Sequence, residues 1–130
     1  MDPGAVVRAA LGEVSDGSLV SDAEGDQTFV VDGVPGFVQH GRLGAGVELL
    51  TITCLAATGR ALTPALDRWV HERNATMLLG GIVLIPAENG DADVLLRYCL
   101  PRDDDPTRLR SVLLPVIAAA ADVRRELTGS

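Results

Sequence analysis

Apolar residues recur at two different spacings along this chain, and the alternation between the two predicts the order of its elements. Three segments repeat at helical spacing, and each begins just after an Asp-Pro or Thr-Pro pair. The pairs are Asp2-Pro3, Thr63-Pro64 and Asp105-Pro106. An Asp or Thr side chain can accept the N–H groups left unpaired in a first helical turn, and the next residue can be proline without losing a hydrogen bond. The pairs therefore predict three helix starts.

The three predicted helices differ in length. The first ends at the Ser-Asp-Gly of residues 15–17, and the second ends near Asn74. The third is the clearest, because apolar residues from Leu109 to Leu127 alternate in steps of three and one and keep one face apolar. The single tryptophan, Trp69, is predicted to anchor the second helix in the core.

Runs of β-type composition fill the space between the helices. The predicted strands cover residues 27–32, 37–43, 47–55, 78–85 and 93–100. Residues 18–26 are polar and are predicted as a loop with a short extended piece at 18–21.

Short turns join successive strands at residues 33–36, 44–46 and 88–91, so neighbouring strands should be antiparallel. The glycine pair at 80–81 is predicted to allow a bulge or the close approach of another backbone. The sequence thus predicts an α+β fold of order α-β-β-β-α-β-β-α, a five-stranded antiparallel sheet packed with three helices.

Several predicted strands are apolar on both faces, whereas antiparallel sheets usually alternate apolar and polar residues. In residues 47–55, Leu50, Ile52 and Cys54 face one way, and Leu49 and Leu55 face the other. Either a helix covers each face, or one face is an apolar surface for a client or for a second subunit. Both explanations stay open, and the pattern predicts a homodimer.

One set of alternating positions forms the predicted partner-binding surface. Its members are Leu49, Leu55, Val83, Ile85, Leu95 and Arg97. The aliphatic residues are expected to hold aliphatic client side chains. Arg97 lies on the same parity as Leu95 and is expected to pair with a client carboxylate at the rim.

The composition narrows the class of partner. The 130 residues are enough for one domain, predicted to span residues 1–130, with a core of aliphatic residues because only four side chains are aromatic. The chain has no lysine, which is typical of a GC-rich bacterial genome. Its net charge of −7 repels the phosphate backbones of nucleic acids, so we expect no nucleic-acid partner.

Location is inferred from what the chain lacks. No segment has the ~18 uninterrupted apolar residues of a membrane-spanning helix. The N-terminal residues lack the basic region and apolar stretch of a secretory signal. We therefore expect a cytoplasmic protein without a membrane partner.

Candidate catalytic or metal-binding groups are few. Cys54 and Cys99 lie in strands without metal-type spacing and are interpreted as buried thiols. The acidic run 103–105 lacks the alternating ligands of a calcium loop, and Asp105 is interpreted as a helix cap. His40 and His71 have no nucleophile or second ligand at a useful spacing. The sequence predicts no metal, no cofactor and no enzymatic activity.

The second half of the chain carries a family resemblance. A proline-started helix reads Leu66-Asp67-Arg68-Trp69, a turn contains Asn89-Gly90, the next strand ends in Leu100-Pro101, and a long helix closes the chain. In these features, residues 63–127 resemble the YbjN-type branch of the type III secretion chaperone-like (Tir chaperone-like) fold. The first half resembles that fold in its order of elements alone.

The resemblance implies a compact α+β domain, often a homodimer, that binds a protein or peptide client and has no catalytic site. Two alternatives stay open. A roadblock-type dimerisation module would need two strands before the middle helix and three after it. A small ligand-binding domain would need a pocket that a sequence cannot reveal.

Overall fold

The three predicted helices begin at the predicted prolines. The computed structural model describes residues 2–17 and 19–129. Its helices are α1 (Pro3–Leu11), α2 (Pro64–Thr76) and α3 (Pro106–Thr128). Asp2 accepts the Ala5 N–H at 3.1 Å, and the Thr63 hydroxyl accepts the Leu66 N–H at 3.1 Å. The capping prediction is confirmed for both helices.

The third helix has both ends capped. The Asp105 carboxylate accepts the N–H groups of Thr107 and Arg108 at 3.0 and 3.3 Å, which confirms its interpretation as a cap. Gly129 ends the helix in the left-handed conformation, with φ of 73°.

All strand neighbours in the sheet are antiparallel. The strands are β1 (Val20–Ser21), β2 (Gln27–Val31), β3 (Val34–Leu43), β4 (Val47–Ala61), β5 (Gly81–Pro86) and β6 (Asp91–Pro101). They lie in the order β1-β2-β3-β4-β6-β5. The predicted α+β architecture is confirmed. The roadblock alternative is wrong, because four of the described strands precede α2 and two follow it.

Within the described residues the sheet has six strands, so the prediction of five was wrong by one. The added strand, β1, contains two residues, and so short a strand leaves no alternating pattern in the sequence. It pairs with β2, and the Ser21 hydroxyl donates to Gln27 Oε1 at 3.0 Å. Ser18, the first residue of the predicted extended piece, lies outside the described residues.

The first hairpin turns earlier than predicted. Asp32 and Gly33 both have positive φ, 50° and 75°, and Val31 pairs directly with Val34 across them. This is the geometry of a two-residue type I′ turn, which an Asp-Gly pair favours. The predicted turn at 33–36 was therefore wrong, and β3 begins at Val34.

The strand after α2 begins three residues later than predicted. Gly80 has a φ of 82°, and a Cβ there would lie 2.9 Å from the Arg97 carbonyl oxygen. Only glycine allows this approach to β6, so the predicted close contact is confirmed. Leu78 consequently lies before the strand, and its side chain is 96% exposed.

Helices α1 and α3 pack on one face of the sheet, here called the covered face. Its central row of cross-strand neighbours consists of Phe29, Gly36, Cys54, Leu96 and Ile82. All five are buried. A Cβ on Gly36 would lie 2.5 Å from the Phe29 ring, so the glycine makes room for that ring.

Apolar residues from both helices complete this core. The buried residues of α1 and α3 include Val6, Val7, Ala10, Leu11, Leu109, Leu113, Val116, Ile117, Ala120 and Val123. They belong to the same cluster as the buried residues of the covered face.

Helix α2 lies at the edge of the sheet beside β5 and has no fully buried residue. Trp69 and Val70 are half-buried and pack against the margin of the core. The prediction that Trp69 anchors the core was wrong in degree, because α2 does not lie over the centre of the sheet.

Polar contacts hold α2 in this position. The Asn74 side chain accepts the Ile82 N–H at 2.7 Å and donates to the Ile82 carbonyl at 3.2 Å. Arg73 forms an ion pair with Glu126 of α3 at 2.9 Å. Asn74 thus pairs with backbone groups on the outer edge of β5, which a neighbouring strand would otherwise contact.

Candidate functional site

Cross-strand pairing brings the six predicted partner-binding residues onto one face of the sheet, opposite α1 and α3. Directly opposed residues in antiparallel strands point to the same side. Leu55 of β4 is opposite Leu95 of β6, which is opposite Val83 of β5. The other three predicted residues lie on the same parity. They are Leu49, Ile85 and Arg97.

We call this surface the open face. Leu49, Leu55, Val83 and Leu95 are half-buried, and Ile85 is 43% exposed. The described parts of α1 and α3 lie on the other side, and α2 lies at the β5 edge. A helix on each face therefore does not explain the two-sided apolar pattern.

A second row on the open face includes two residues that the sequence did not single out, Phe37 and Thr53. The row crosses all six strands as Val20, Thr28, Phe37, Thr53, Arg97 and Gly81. Phe37 is 36% exposed, whereas Thr53 between its two large neighbours is 2% exposed. Alternation along β4 predicts that Thr53 points to the open face. Its burial could not be predicted, because it depends on the register that places Phe37 opposite Thr53.

The Thr53 hydroxyl is buried without a hydrogen-bond partner within residues 2–17 and 19–129. Buried polar groups are nearly always paired, so an orphan of this kind needs an explanation. Arg97, directly opposite, is exposed and forms no ion pair with any described residue.

The two cysteines lie on opposite faces. Cys54 is fully buried on the covered face, and burial raises the pKa of its thiol to about 12. Cys99 is exposed on the open face, where the Thr51 hydroxyl donates to its sulfur at 3.6 Å. The buried-thiol prediction is confirmed for Cys54 and wrong for Cys99, because no helix in the described part of the chain covers that side of β6.

A charged cluster lies near the turn that joins β3 to β4. His40 Nε2, Arg42 and Arg102 approach the Glu48 carboxylate at 3.3, 3.6 and 3.0 Å. Partial burial alone would raise the pKa of Glu48, but the hydrogen bond and charge of Arg102, with His40 and Arg42, lower it overall. The cluster links the β3–β4 hairpin to the end of β6.

The acidic run before α3 is used by the fold. Asp103 accepts from Arg108 at 2.6 and 2.8 Å, and this hydrogen bond lowers the pKa of Asp103. Asp105 caps the helix. Across residues 2–17 and 19–129, no group of three or more His, Cys, Asp or Glu side chains is arranged to hold a metal ion.

A second apolar surface lies between α2 and α3, and we call it the α2 groove. Met77, Leu79, Pro115 and Ala119 contribute to a cavity there of about 240 Å³. The almost fully exposed Leu78 also lines this cavity. None of the helices in the described part of the chain is long and apolar enough to cross a membrane.

Comparison with solved structures identifies the fold. The chain superposes on a chain of the ExsC–ExsE complex with a TM-score of 0.64 and 17% identity, covering 94% of this chain and 90% of the other. For the HopA1–SchA chaperone–effector complex the values are 0.61 and 12%, covering 93% and 91%.

The third comparison is with the structure of the Yersinia pestis type III secretion chaperone SycH in complex with a stable fragment of YscM2. The TM-score is 0.54 at 17% identity, covering 94% of this chain and 99% of the other. No model of a known protein family matches the chain, and a search of curated proteins gives no significant match. None of these three structures is described as a YbjN-type protein, so that branch of the resemblance stays a prediction.

The resemblance drawn from residues 63–127 is confirmed at the level of fold. At this sequence identity, structural likeness establishes architecture and leaves function to the surfaces. The chain has the α+β fold of the type III secretion chaperones.

Proposed function

We propose that this protein is a non-enzymatic, chaperone-like binding domain that holds a polypeptide client on its open face. The observation that carries the proposal is the row of Leu55, Leu95 and Val83. These side chains are partly exposed at adjacent positions of three strands, on a face that no described helix covers. Contiguous apolar surface of this kind is typical of an interaction site.

The chemistry of the face favours a polypeptide with aliphatic side chains and a carboxylate. The aliphatic row gains from the removal of its apolar area from water. Arg97, one row away, is a charged donor without an ion pair in the described residues. The orphan Thr53 hydroxyl beside it can pair with a client group once the neighbouring side chains move.

The solved structures with this fold support the same class of function. The HopA1–SchA structure is described as a chaperone–effector complex, and SycH is described as a type III secretion chaperone bound to a fragment of YscM2. We extend client binding to this chain as a proposal, together with the absence of catalysis and the cytoplasmic location.

Co-purification from a native host, followed by binding measurements with the purified client, tests the proposal. Arg97→Glu should keep its melting temperature, since exposed substitutions change stability by under about 0.5 kcal/mol. It should lose client affinity. Arg68→Glu, a charge reversal at an exposed position of α2, is the matched control and should bind like wild type.

Val83→Asp is the second variant, used with a melting control because Val83 is half-buried. If folded Arg97→Glu and Val83→Asp both bind the client like wild type, the open face is not the client site. If the wild-type protein recovers no client from its host, the chaperone proposal loses its main support.

We further propose that the protein forms a homodimer through the α2 side. Leu78 is 96% exposed next to the α2 groove, so two copies related by a two-fold axis can exchange this side chain. Light scattering behind a sizing column should give twice the chain mass, and Leu78→Asp should give a monomer that melts normally. A wild-type protein that stays monomeric at high concentration would rule this out.

A further inference from the structure

A cavity of about 200 Å³ lies at one end of the sheet, away from the α2 groove. It forms where β4 leaves its regular pairing with β6, at bulges between Leu55 and Ala57 and between Ala57 and Arg60. A bulge puts an extra residue in one strand, outside the ladder, and bends that strand. The cavity is partly open to solvent and is bounded by residues of β3, β4 and α3.

The walls of the cavity are of two kinds. Four lining residues are apolar: Pro35, Leu55, Ala56 and Ala57. The lining also includes two threonines, Thr58 and Thr128, and two arginines, Arg60 of β4 and Arg124 near the C-terminal end of α3. A cavity lined by both apolar residues and guanidinium groups suits a ligand with an aliphatic part and an anionic part.

The two arginines stand apart from most others in this acidic chain. Within the described residues, arginines paired with a carboxylate are Arg42, Arg73, Arg102, Arg108, Arg110 and Arg125. The Arg60 side chain is half-buried and has neither a hydrogen bond nor an ion pair in that part of the chain. Arg124 donates one N–H to the Gly33 carbonyl at 2.6 Å and has no carboxylate partner there.

Guanidinium groups bind carboxylates and phosphates through paired, charge-assisted hydrogen bonds, which are stronger than hydrogen bonds between neutral groups. The size of the cavity limits what else the ligand contains. At about 200 Å³ it is smaller than the ~300–1,000 Å³ of sites for drug-sized ligands, so it suits a group of about one amino-acid residue.

We propose that this cavity binds a carboxylate carried on a short aliphatic group, with Arg60 and Arg124 holding the carboxylate and the apolar lining residues Pro35, Ala56 and Ala57 contacting the aliphatic part. A free C-terminal residue with an aliphatic side chain has this chemistry, and so does an Asp or Glu side chain. The site shares no lining residue with the α2 groove; it shares Leu55 with the open face, whereas Arg97 and Val83 of the open face do not line it.

Three small probes distinguish these sources by NMR titration of the ¹⁵N-labelled protein. N-acetyl-leucine carries the free carboxylate, N-acetyl-leucinamide lacks it, and N-acetyl-aspartic acid α-amide carries a side-chain carboxylate only. We expect the first probe to give saturable shifts in the amides of residues 55–60, and the amide probe to give none. Saturable shifts with the aspartate probe as well would support the carboxylate site and extend it to acidic side chains.

Arginine variants test whether the carboxylate is bound by the guanidinium groups or the probe is held by apolar contacts alone. Arg60→Gln and Arg124→Gln should each weaken N-acetyl-leucine binding about tenfold or more, because each removes a charged donor. Arg68→Gln on the exposed surface of α2 is the control and should bind like wild type. A melting curve for each variant verifies that the fold is intact.

Two results would overturn the proposal. One is equal shifts with N-acetyl-leucine and N-acetyl-leucinamide, which would mean that the arginines take no part. The other is no saturable shift with either carboxylate probe while the protein is folded. Both results leave client binding on the open face unaffected, since that function is measured with Arg97 and Val83 variants.

Discussion

The two faces of the sheet are built from the same strands, yet neighbouring residues differ sharply in burial. On the covered face, Cys54 and Leu96 are 0% exposed beneath the helices. On the open face, the adjacent residues Leu55 and Leu95 stay partly exposed. Both faces are apolar at these positions, so apolar pattern alone does not say which face is the core.

What distinguishes the faces is the set of helices. α1 and α3 carry long apolar stripes that pack together on one side, whereas α2 contributes only half-buried residues at the sheet edge. The apolar residues of the open face lie outside this packing and stay in contact with water. A partner bound there would remove their apolar area from water, so they are candidates for an interaction surface.

The sharpest test of the comparison uses two adjacent leucines in β6. Leu96→Ala on the covered face should cost about 2–5 kcal/mol, because it removes a fully buried side chain and leaves a cavity. Leu95→Ala on the open face should cost much less, about 1 kcal/mol, because its side chain already contacts water. Denaturant unfolding of both variants measures the difference.

Equal losses of stability for the two leucine variants would contradict the assignment of faces. They would indicate that Leu95 is covered in solution, either by a second copy or by a bound client. Repeating the measurement over a range of protein concentrations separates a second copy from a single folded chain, because dimer stability depends on concentration.

Much of this architecture was readable from the sequence, because it rests on local chemistry. The three caps and the period of α3 predict the helices, and alternation in β4 to β6 predicts that Leu55, Val83 and Leu95 share a face. The Asp32-Gly33 turn was also local, but a competing Gly-Pro signal at 33–36 hid it.

The remaining features depend on contacts between distant segments. The two-residue β1 exists because β2 lies beside it, and Thr53 is buried because Phe37 and Arg97 flank it. The edge position of α2 follows from the pairing of Asn74 with Ile82. The arginine-lined cavity forms because the bulged part of β4 lies beside the C-terminal end of α3. No pattern in the sequence predicts that these two segments are neighbours.

The second prediction compares α2 with the core helices. Trp69→Ala should cost about 1–3 kcal/mol, below the ~3–5 kcal/mol typical of a fully buried aromatic, because Trp69 lies half-exposed at the margin. Thermal melting measures the loss. An unfolded variant would mean that Trp69 carries more of the core than its exposure indicates.

The third prediction concerns the cysteines, one on each face. Cys99 should react quickly with a thiol reagent at neutral pH, whereas Cys54 should react only on unfolding. Burial raises the pKa of Cys54 from its ordinary 9.0 to about 12, so between these pH values the unfolded chain loses a proton that the fold keeps. Stability therefore falls as pH rises through this window, by up to about 1.4 kcal/mol per pH unit.

Comparison with Cys54→Ala isolates that effect from other alkaline titrations. The variant should lose stability less steeply than wild type above pH 9, even if it is less stable at neutral pH. Parallel slopes for the two proteins, or rapid labelling of Cys54 in the folded state, would contradict its burial on the covered face.

The smallest expected effect is at Thr53, the one position among the described residues of the open face that is buried like a core residue. Its hydroxyl has no partner in the described structure, so Thr53→Val should leave stability unchanged or raise it by less than about 1 kcal/mol. Thr51→Val is the control, since it removes a hydroxyl that does have a partner, the Cys99 sulfur. If a client or second copy supplies the missing partner, Thr53→Val should weaken that association while the free protein melts normally. A marked loss of stability in the free protein would instead show that the Thr53 hydroxyl has a hydrogen-bond partner in solution. Thr53 would then be a satisfied buried residue, and the open face would resemble the covered face at this position.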